Sequence, residues 1–421
     1  MKDNSQESKI DVFCGSGTES VKVGSIYSHW RRNTESMTFV YDDSYLSRPD
    51  SYALEPGLPL HSGAHQTPTG KRIFGAFSDS SPDRLGRRIV ERRENERARN
   101  AGVAPRAMSE SGLMLAVRDD LRQGALRFSQ EPGVFLANES DGIPAKIALP
   151  HLIELARKID AEESNYSEMQ ELFLAGGSLG GARPKAHIAY GDGSLAIAKF
   201  SRPDADEWDV IAWEKTVLDL AKRAKIKVPE SQLVHAGAEK VLLLKRFDRI
   251  GEKRLGYISA MTMLEKNEME PGSYLDIAEK IETVSLNAAE ELRELWRRMV
   301  FTVLVTNKDN HLKNHGFLKS RGEAWELSHA FDLNPNPQPG RILATAIDEN
   351  NHEASLELCF SVLRYFRMNR EEALEILAQV VAATSTWNEV ALTYGISAAE
   401  VRAMAPAFAH SESRRAEAIL G

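Results

Sequence analysis

The sequence predicts an α+β chain of two lobes, β-rich toward the N-terminus and all-helical toward the C-terminus, and three observations predict it. Residues 10 to 60 carry short apolar or alternating runs separated by Gly, Asn and Ser, the pattern of strands and turns. From Ala288 to Val305 the apolar residues Leu292, Leu295, Trp296, Met299 and Val303 recur at spacings of three and four, the pattern of a helix with a buried face. Between them come a glycine-rich stretch, a strand bearing a lysine, and a helix. At 421 residues the chain exceeds one typical domain. Residues 1–150 read as a β-rich subdomain with an Arg-rich helix, 151–260 as a part built on the glycine stretch, and 261–421 as a helical part.

Composition narrows the class. Hydrophobic residues make up 42% and charged residues 27%, as in an ordinary globular protein. No apolar run has membrane length, and the polar start MKDNSQESKIDVF does not resemble a signal peptide, so a cytoplasmic protein without a membrane is expected. Cys14 and Cys359 lie too far apart in sequence to suggest a disulfide scaffold or a cysteine zinc site. A formal charge of −8 disfavours direct nucleic-acid binding by the whole surface. The exception is Arg84 to Asn100, with seven Arg against three Glu. It reads as a solvated helix face with pairs such as Glu94 with Arg97, or as a surface for a DNA-bound partner.

In chain order, Val12-Phe13, Val21 to Ile26 and Met37 to Tyr41 are the strand candidates, followed by Pro- and Asp-punctuated loops to Leu60. Ser81-Pro82-Asp83 is a helix start, with Pro in the first turn. Residues 107 to 175 read as mainly helical, with Leu152, Ile153, Leu155, Ala156 and Ile159 on one face. In Ala175-GGSLGGARPKA four glycines and Ser178 make a backbone able to approach a ligand closely, and its N–H groups and Lys185 suit a phosphate; a hairpin turn explains the glycines equally well. Leu195 to Phe200 reads as a strand carrying Lys199, and a helix begins at Asp204-Ala-Asp206-Glu207 and includes Glu214. Glu214 is a partner for Lys199 or an exposed residue beside Lys215. Val241 to Lys245 is an apolar strand running into charge, and Asp248 and Arg249 are ion-pair candidates.

The segment Met299 to Gly340 concentrates the chemistry. A buried apolar run turns polar at Thr306, and Asp309, His311 and Asn314 follow. A second segment, Trp325 to Phe331, delivers Asp332 and ends in Asn334-Pro335-Asn336-Pro337, which continues neither a helix nor a central strand. Metal-assisted phosphoryl transfer needs one carboxylate to orient an attacking hydroxyl, and a second carboxylate with a neutral oxygen to hold Mg²⁺. Asp309 and Asn314 have the Asp-x-x-x-x-Asn spacing of a kinase catalytic loop, and Asp332 stands where a DFG-type aspartate follows. After the last segment, 355–367, 370–384 and 398–405 read as helices.

DNHLKNHGFL followed by LSHAFDLNPNP, with GGSLGGARPKA upstream, resembles the paired signature of the HipA family of type II toxin–antitoxin serine/threonine-protein kinases. The resemblance implies a two-lobed, protein-kinase-like fold related to lipid kinases. It implies Asp309 as catalytic base and Asn314 and Asp332 as Mg²⁺ ligands. For ATP it implies Gly180, Gly181, Ala182, Arg183, Lys185 and Lys199 on the phosphates, backbone groups of Lys245 and Phe247 on the adenine, and His311 and Phe331 nearby. Ser178 would be the autophosphorylation site that switches the kinase off, and Glu214 the ion-pair partner of Lys199. The family also implies a protein substrate, an aminoacyl-tRNA synthetase among the candidates, a small helix-turn-helix antitoxin, and DNA contact only through that antitoxin. Asn310 stands where family members often carry an acid, and His329 where they often carry a proline.

Three rivals are open from sequence. His311 and His315 have the i, i+4 spacing of zinc ligands, although Leu312 occupies the glutamate position of HExxH. The same two acids and amide would serve a small-molecule or lipid-type phosphotransferase. A non-catalytic partner of a DNA-binding antitoxin is the third.

Overall fold

The alternating N-terminal runs form an antiparallel sheet in the computed structural model, which describes every residue except 1–5, 16–19, 32–33, 106, 132–133, 136–147, 162, 177–182, 184, 191, 203–205 and 269. The chain divides into two compact units. The first comprises Met1–Arg202, Ala236–Glu239 and Asp248–Ile258, and the second Pro203–His235, Lys240–Phe247 and Ser259–Gly421.

The first unit opens with β1 (Gln6–Cys14), β2 (Val21–Arg31) and β3 (Thr34–Tyr41), then α1 (Asp43–Leu46) and β4 (Ala64–Gln66). The helices α2 (Gly75–Asp79), α3 (Arg84–Asn100) and α4 (Glu110–Ala116) precede β5 (Leu126–Ser129). The strands lie in the order β4-β3-β2-β1-β5. Alternation sends Ile10, Val12, Val23, Ile26, Met37 and Phe39 into the core, all 0% exposed. Phe77 joins the sheet to the helices, its ring centroid 5.5 Å from Phe39 and 5.7 Å from Phe128. Gly24 is required where β2 passes β3, because a Cβ there would lie 2.3 Å from the Val40 carbonyl oxygen.

Two expectations change here. The stretch 107–175, read as mainly helical, contains β5, whose partner β1 is distant in sequence (Cys14 opposite Leu126), so local periodicity does not reveal it. Pro82 precedes α3 instead of sitting in its first turn; the cap is Asp83, whose side chain accepts from the Gly86 N–H at 2.6 Å. The Glu94–Arg97 pair does form, at 3.3 Å.

The first unit continues through α5 (Leu149–Asp160), α6 (Tyr166–Gly176) and the antiparallel β6 (Lys185–Ala189) and β7 (Leu195–Phe200). Helix α7 (Val210–Arg223) starts later than the sequence indicated, because Asp209 supplies the cap by accepting from the Ala212 N–H. Next come β8 (Ser231–Ala236), β9 (Glu239–Lys245) and the short β10 (Arg249–Ile250) and β11 (Lys253–Arg254). The Asp248–Arg249 ion pair closes at 2.8 Å, and Asp248 also accepts from the Gly124 N–H, so the pair fixes a turn of the first unit.

The rest is β12 (Tyr257–Ser259), α8 (Ala260–Met263), α9 (Tyr274–Val284), α10 (Ala288–Val305), the hairpin β13 (Gly316–Lys319) and β14 (Trp325–Leu327), and α11 (Leu356–Ser361). Helices α12 (Arg370–Thr384), α13 (Trp387–Thr393), α14 (Ala398–Met404) and α15 (Ser411–Leu420) end the chain. The sequence reading missed α13 and α15, and a β-hairpin interrupts the part read as all-helical. Helix α10 is the axis of the second unit, packed by α9, α12, α11 and α15. Leu292, Leu295, Trp296, Met299, Val300 and Val303 are 0% exposed, and the Trp296 indole N–H donates to the Cys359 carbonyl at 2.9 Å. Leu295→Ala is therefore expected to destabilise by about 2–5 kcal/mol in denaturant unfolding, whereas Leu286→Ala, at a side chain 66% exposed, stays within about 0.5 kcal/mol of wild type.

Candidate active site

The second unit positions its polar groups by the way α10 ends. Thr306 closes the helix at φ 52°, ψ 48°, a left-handed conformation that a β-branched residue rarely adopts. Its hydroxyl donates to the Ala407 carbonyl and accepts from Arg341 Nη1, both at 2.8 Å, while Arg341 Nη2 donates to the Val303 carbonyl. These bonds hold a strained backbone that would otherwise cost about 1–3 kcal/mol.

The loop that follows is tied from below. Asn310 is 4% exposed; its Nδ2 donates to the Tyr274 hydroxyl at 3.0 Å and to Thr302 Oγ1 at 3.3 Å, and its carbonyl accepts from Thr345 Oγ1 at 2.7 Å. The position at which family members often carry an acid is thus a neutral strut. Leu312 packs onto Gly272, where a Cβ would stand 2.6 Å from Leu312 Cδ1. Anchored on both sides, Asp309 offers its carbonyl to the His311 N–H at 2.8 Å and to Asn314 Nδ2 at 3.1 Å. With its nitrogen so engaged, Asn314 has its amide oxygen for a cation.

Asp332 arrives on a second strained residue, at φ 58°. Its approach is fixed by Ser328 N–H to the Gly316 carbonyl, Arg298 Nη2 to the Ser328 carbonyl, and Ala330 N–H to the Lys227 carbonyl, each 2.8 Å. Beyond it the Asn336 N–H reaches the Thr306 carbonyl at 3.2 Å, so the Asn-Pro-Asn-Pro segment is pinned to the end of α10. This sets the two acids within electrostatic reach of each other. Burial raises the Asp309 pKa, His311 opposes the rise, and the neighbouring Asp332 charge adds to it.

One functional candidate was missed from sequence. Asn334 donates from Nδ2 to Asp332 Oδ1 at 3.3 Å, and its own Oδ1 is buried without a hydrogen-bond partner. A buried orphan acceptor beside a carboxylate suits a cation or its bound water. Asp332 and Asn334 thus offer adjacent oxygens of the type Mg²⁺ prefers.

The remaining predicted residues fall in both units. Phe247 and Phe331 meet in the second unit, centroids 5.7 Å apart, and Phe247 also stacks on His329 at 5.4 Å. His329 is therefore a packing ring, kept toward its neutral form first by burial and then by Arg298. The Lys245 N–H donates to the Glu230 carbonyl at 2.9 Å, which confines an adenine contact at this residue to its carbonyl. His311 is exposed, whereas His315 is buried against Tyr274, its pKa pushed down to about 3 chiefly by burial.

Glu214 is 1% exposed on α7, which excludes the solvated alternative weighed from sequence. In the first unit Lys185 and Lys199 stand directly opposite each other on β6 and β7, each 9% exposed, and Lys185 lies 3.7 Å from Asp83. Arg183 is half-buried. Ser178, Gly180, Gly181 and Ala182 lie outside the described residues. A carboxyl NMR titration is expected to place Asp309 above the ordinary aspartate value of about 3.9 and to move it down in Asp332→Asn; an unmoved Asp309 in that variant would show the acids to be apart.

Two family models match the chain, the HipA-like C-terminal domain over residues 177–387 and the HipA N-terminal domain over residues 18–128. No curated protein matches it significantly. Among solved structures, HipA of the Shewanella oneidensis MR-1 toxin–antitoxin system, in complex with HipB and its operator DNA, superposes with a TM-score of 0.67 at 16% identity, over 97% of this chain and 99% of that one. The Helicobacter pylori proinflammatory kinase CtkA aligns with a TM-score of 0.43 at 15% identity, over 56% of this chain and 94% of that one. No helix among the described residues is long and apolar enough to cross a membrane. With an N-terminal and a C-terminal HipA domain model both matched along its length, the chain belongs to the HipA family.

Proposed function

We propose that this protein is an ATP- and Mg²⁺-dependent serine/threonine-protein kinase and the toxin of a toxin–antitoxin system. The observation that carries the reading is the pair Asp309 and Asp332, two acids on separately anchored backbones that stand in each other's field. In this reading Asp309 orients the substrate hydroxyl and takes its proton on a carboxylate oxygen. The Asp332 carboxylate and the Asn314 amide oxygen hold Mg²⁺, with Asn334 Oδ1 as a third oxygen. When bound, the ion supplies neutralisation of charge developing on the phosphate oxygens. Lys199, Lys185, Arg183 and the backbone of Gly180, Gly181 and Ala182 bind the phosphates. The Lys245 carbonyl and the Phe247 backbone orient the adenine, with His311 and Phe331 nearby, and Glu214 positions Lys199.

Family membership supports the biological role. The Shewanella HipA was solved with HipB and operator DNA, and by analogy a small helix-turn-helix antitoxin partners this chain and carries the DNA contact. The substrate is a protein, an aminoacyl-tRNA synthetase being the leading candidate, whose phosphorylation in the cytoplasm would halt translation and growth. Phosphate on Ser178 is the off-switch. A small-molecule or lipid-type phosphotransferase would use the same two acids and amide, and phosphoproteomics of cells expressing wild type against Asp309→Asn separates the two.

Asp309→Asn is expected to lose at least about 10³-fold in transfer from labelled ATP while keeping its thermal stability, and full activity in this variant would refute the base assignment. Wild-type transfer should fall on acidification through a pKa above the ordinary aspartate range, because protonated Asp309 accepts no proton. Mass spectrometry of protein incubated with ATP is expected to find phosphate on Ser178; phosphate elsewhere with Ser178 unmodified would remove the off-switch.

A further inference from the structure

Phosphoryl transfer gives no task to the two histidines at β4. His65 lies in that strand directly opposite Phe39 of β3, and the pairing fixes where its ring stands. His61 precedes the strand, and Gly63, at φ 113°, turns the chain between them. The turn brings the two rings together, with centroids 4.3 Å apart and planes inclined by 35°. Tyr41 meets His65 edge-on at 5.5 Å. His65 is 7% exposed, whereas His61 is exposed.

Hydrogen bonds fix both tautomers. His61 Nδ1 lies 2.8 Å from the Ser62 carbonyl, which can only accept, so Nδ1 carries the proton and Nε2 the lone pair. His65 donates to the His61 carbonyl, and its Nε2 is buried without a hydrogen-bond partner. The donor is therefore Nδ1, and here too Nε2 holds a lone pair. Burial first, and then His61, keep the His65 ring neutral.

Packing alone does not account for a buried lone pair, because an acceptor stripped of water and left unpaired is costly. A neutral imidazole whose other N–H is held by a carbonyl is the form in which histidine ligates a metal, and both rings have it. We infer that His61 and His65 are the Nε2 ligands of one divalent late transition-metal ion, of the zinc or nickel class. Imidazole nitrogen suits such ions, whereas Mg²⁺ takes oxygen. Among the described residues no group of three or more His, Cys, Asp or Glu is placed to hold a metal, so water completes the coordination and the ion exchanges. The exposed His61 ring is the one that turns to admit it.

Calorimetric titration of the untagged full-length protein with Zn²⁺ and with Ni²⁺, each in excess Mg²⁺, tests this. His61→Ala, at an exposed side chain whose removal leaves thermal unfolding of the metal-free protein unchanged, should weaken binding of both ions at least tenfold. His65→Phe keeps an aromatic ring beside Tyr41 and should weaken binding as much, while His311→Ala should leave it unchanged. In the wild type, paramagnetic Ni²⁺ should broaden the ring-proton signals of His61 and His65 before those of any other histidine, a readout that needs no variant to fold. Wild-type affinity in His61→Ala overturns the inference, as does displacement of Zn²⁺ by Mg²⁺. Loss of the site in His311→Ala would assign the ion to His311 and His315 and likewise overturn it.

Discussion

The hydroxyl of Thr306 holds the second unit's chemistry in place. From Met299 to Val305 helix α10 is apolar on almost every side and has to be buried, and the chain leaves that core through a residue that turns the backbone sharply. Glycine is the usual solution, but here a threonine adopts the left-handed conformation, held by Ala407 and Arg341. From that point the chain emerges with Asp309 three residues away, and the Asn336 N–H returns to the Thr306 carbonyl. Both acids are thereby referred to one helix end.

Setting two carboxylates in each other's field is unfavourable, and the surrounding bonds sustain it. Asn310, Tyr274, Thr302 and Thr345 hold one loop; Arg298, Gly316 and Lys227 hold the other. Burial first, and then the Asp332 charge, raise the pKa of Asp309, and the positive φ of Asp332 records strain in the backbone. The first unit handles its buried charges differently: Asp119 lies 2.8 Å from Arg127 and 3.0 Å from Arg254, a compensated cluster in which the arginines hold the carboxylate below its usual pKa.

Much of the fold was legible because its signals are local. Alternation in β2 and β3, the three-and-four spacing of α10, and the acid–amide spacing of Asp309 and Asn314 are properties of short windows, set by strand and helix periodicity. Strand β5 was illegible because its partner, β1, is more than a hundred residues away. Asn334 was illegible as a candidate because asparagine before proline reads first as a turn residue. Only its buried, unpaired oxygen beside Asp332 distinguishes it.

The sequence by itself determined β2, β3, the burial of α10 and the acid–amide spacing of Asp309 and Asn314, since these follow from side-chain chemistry and short-range periodicity. Tertiary structure alone decided that Asp309 and Asp332 stand in each other's field, that Asn310 is a buried strut and that His329 is a packing ring. Those facts depend on which distant segments share a core, and hydrophobic burial, being non-directional, leaves that choice to the packing of the whole chain.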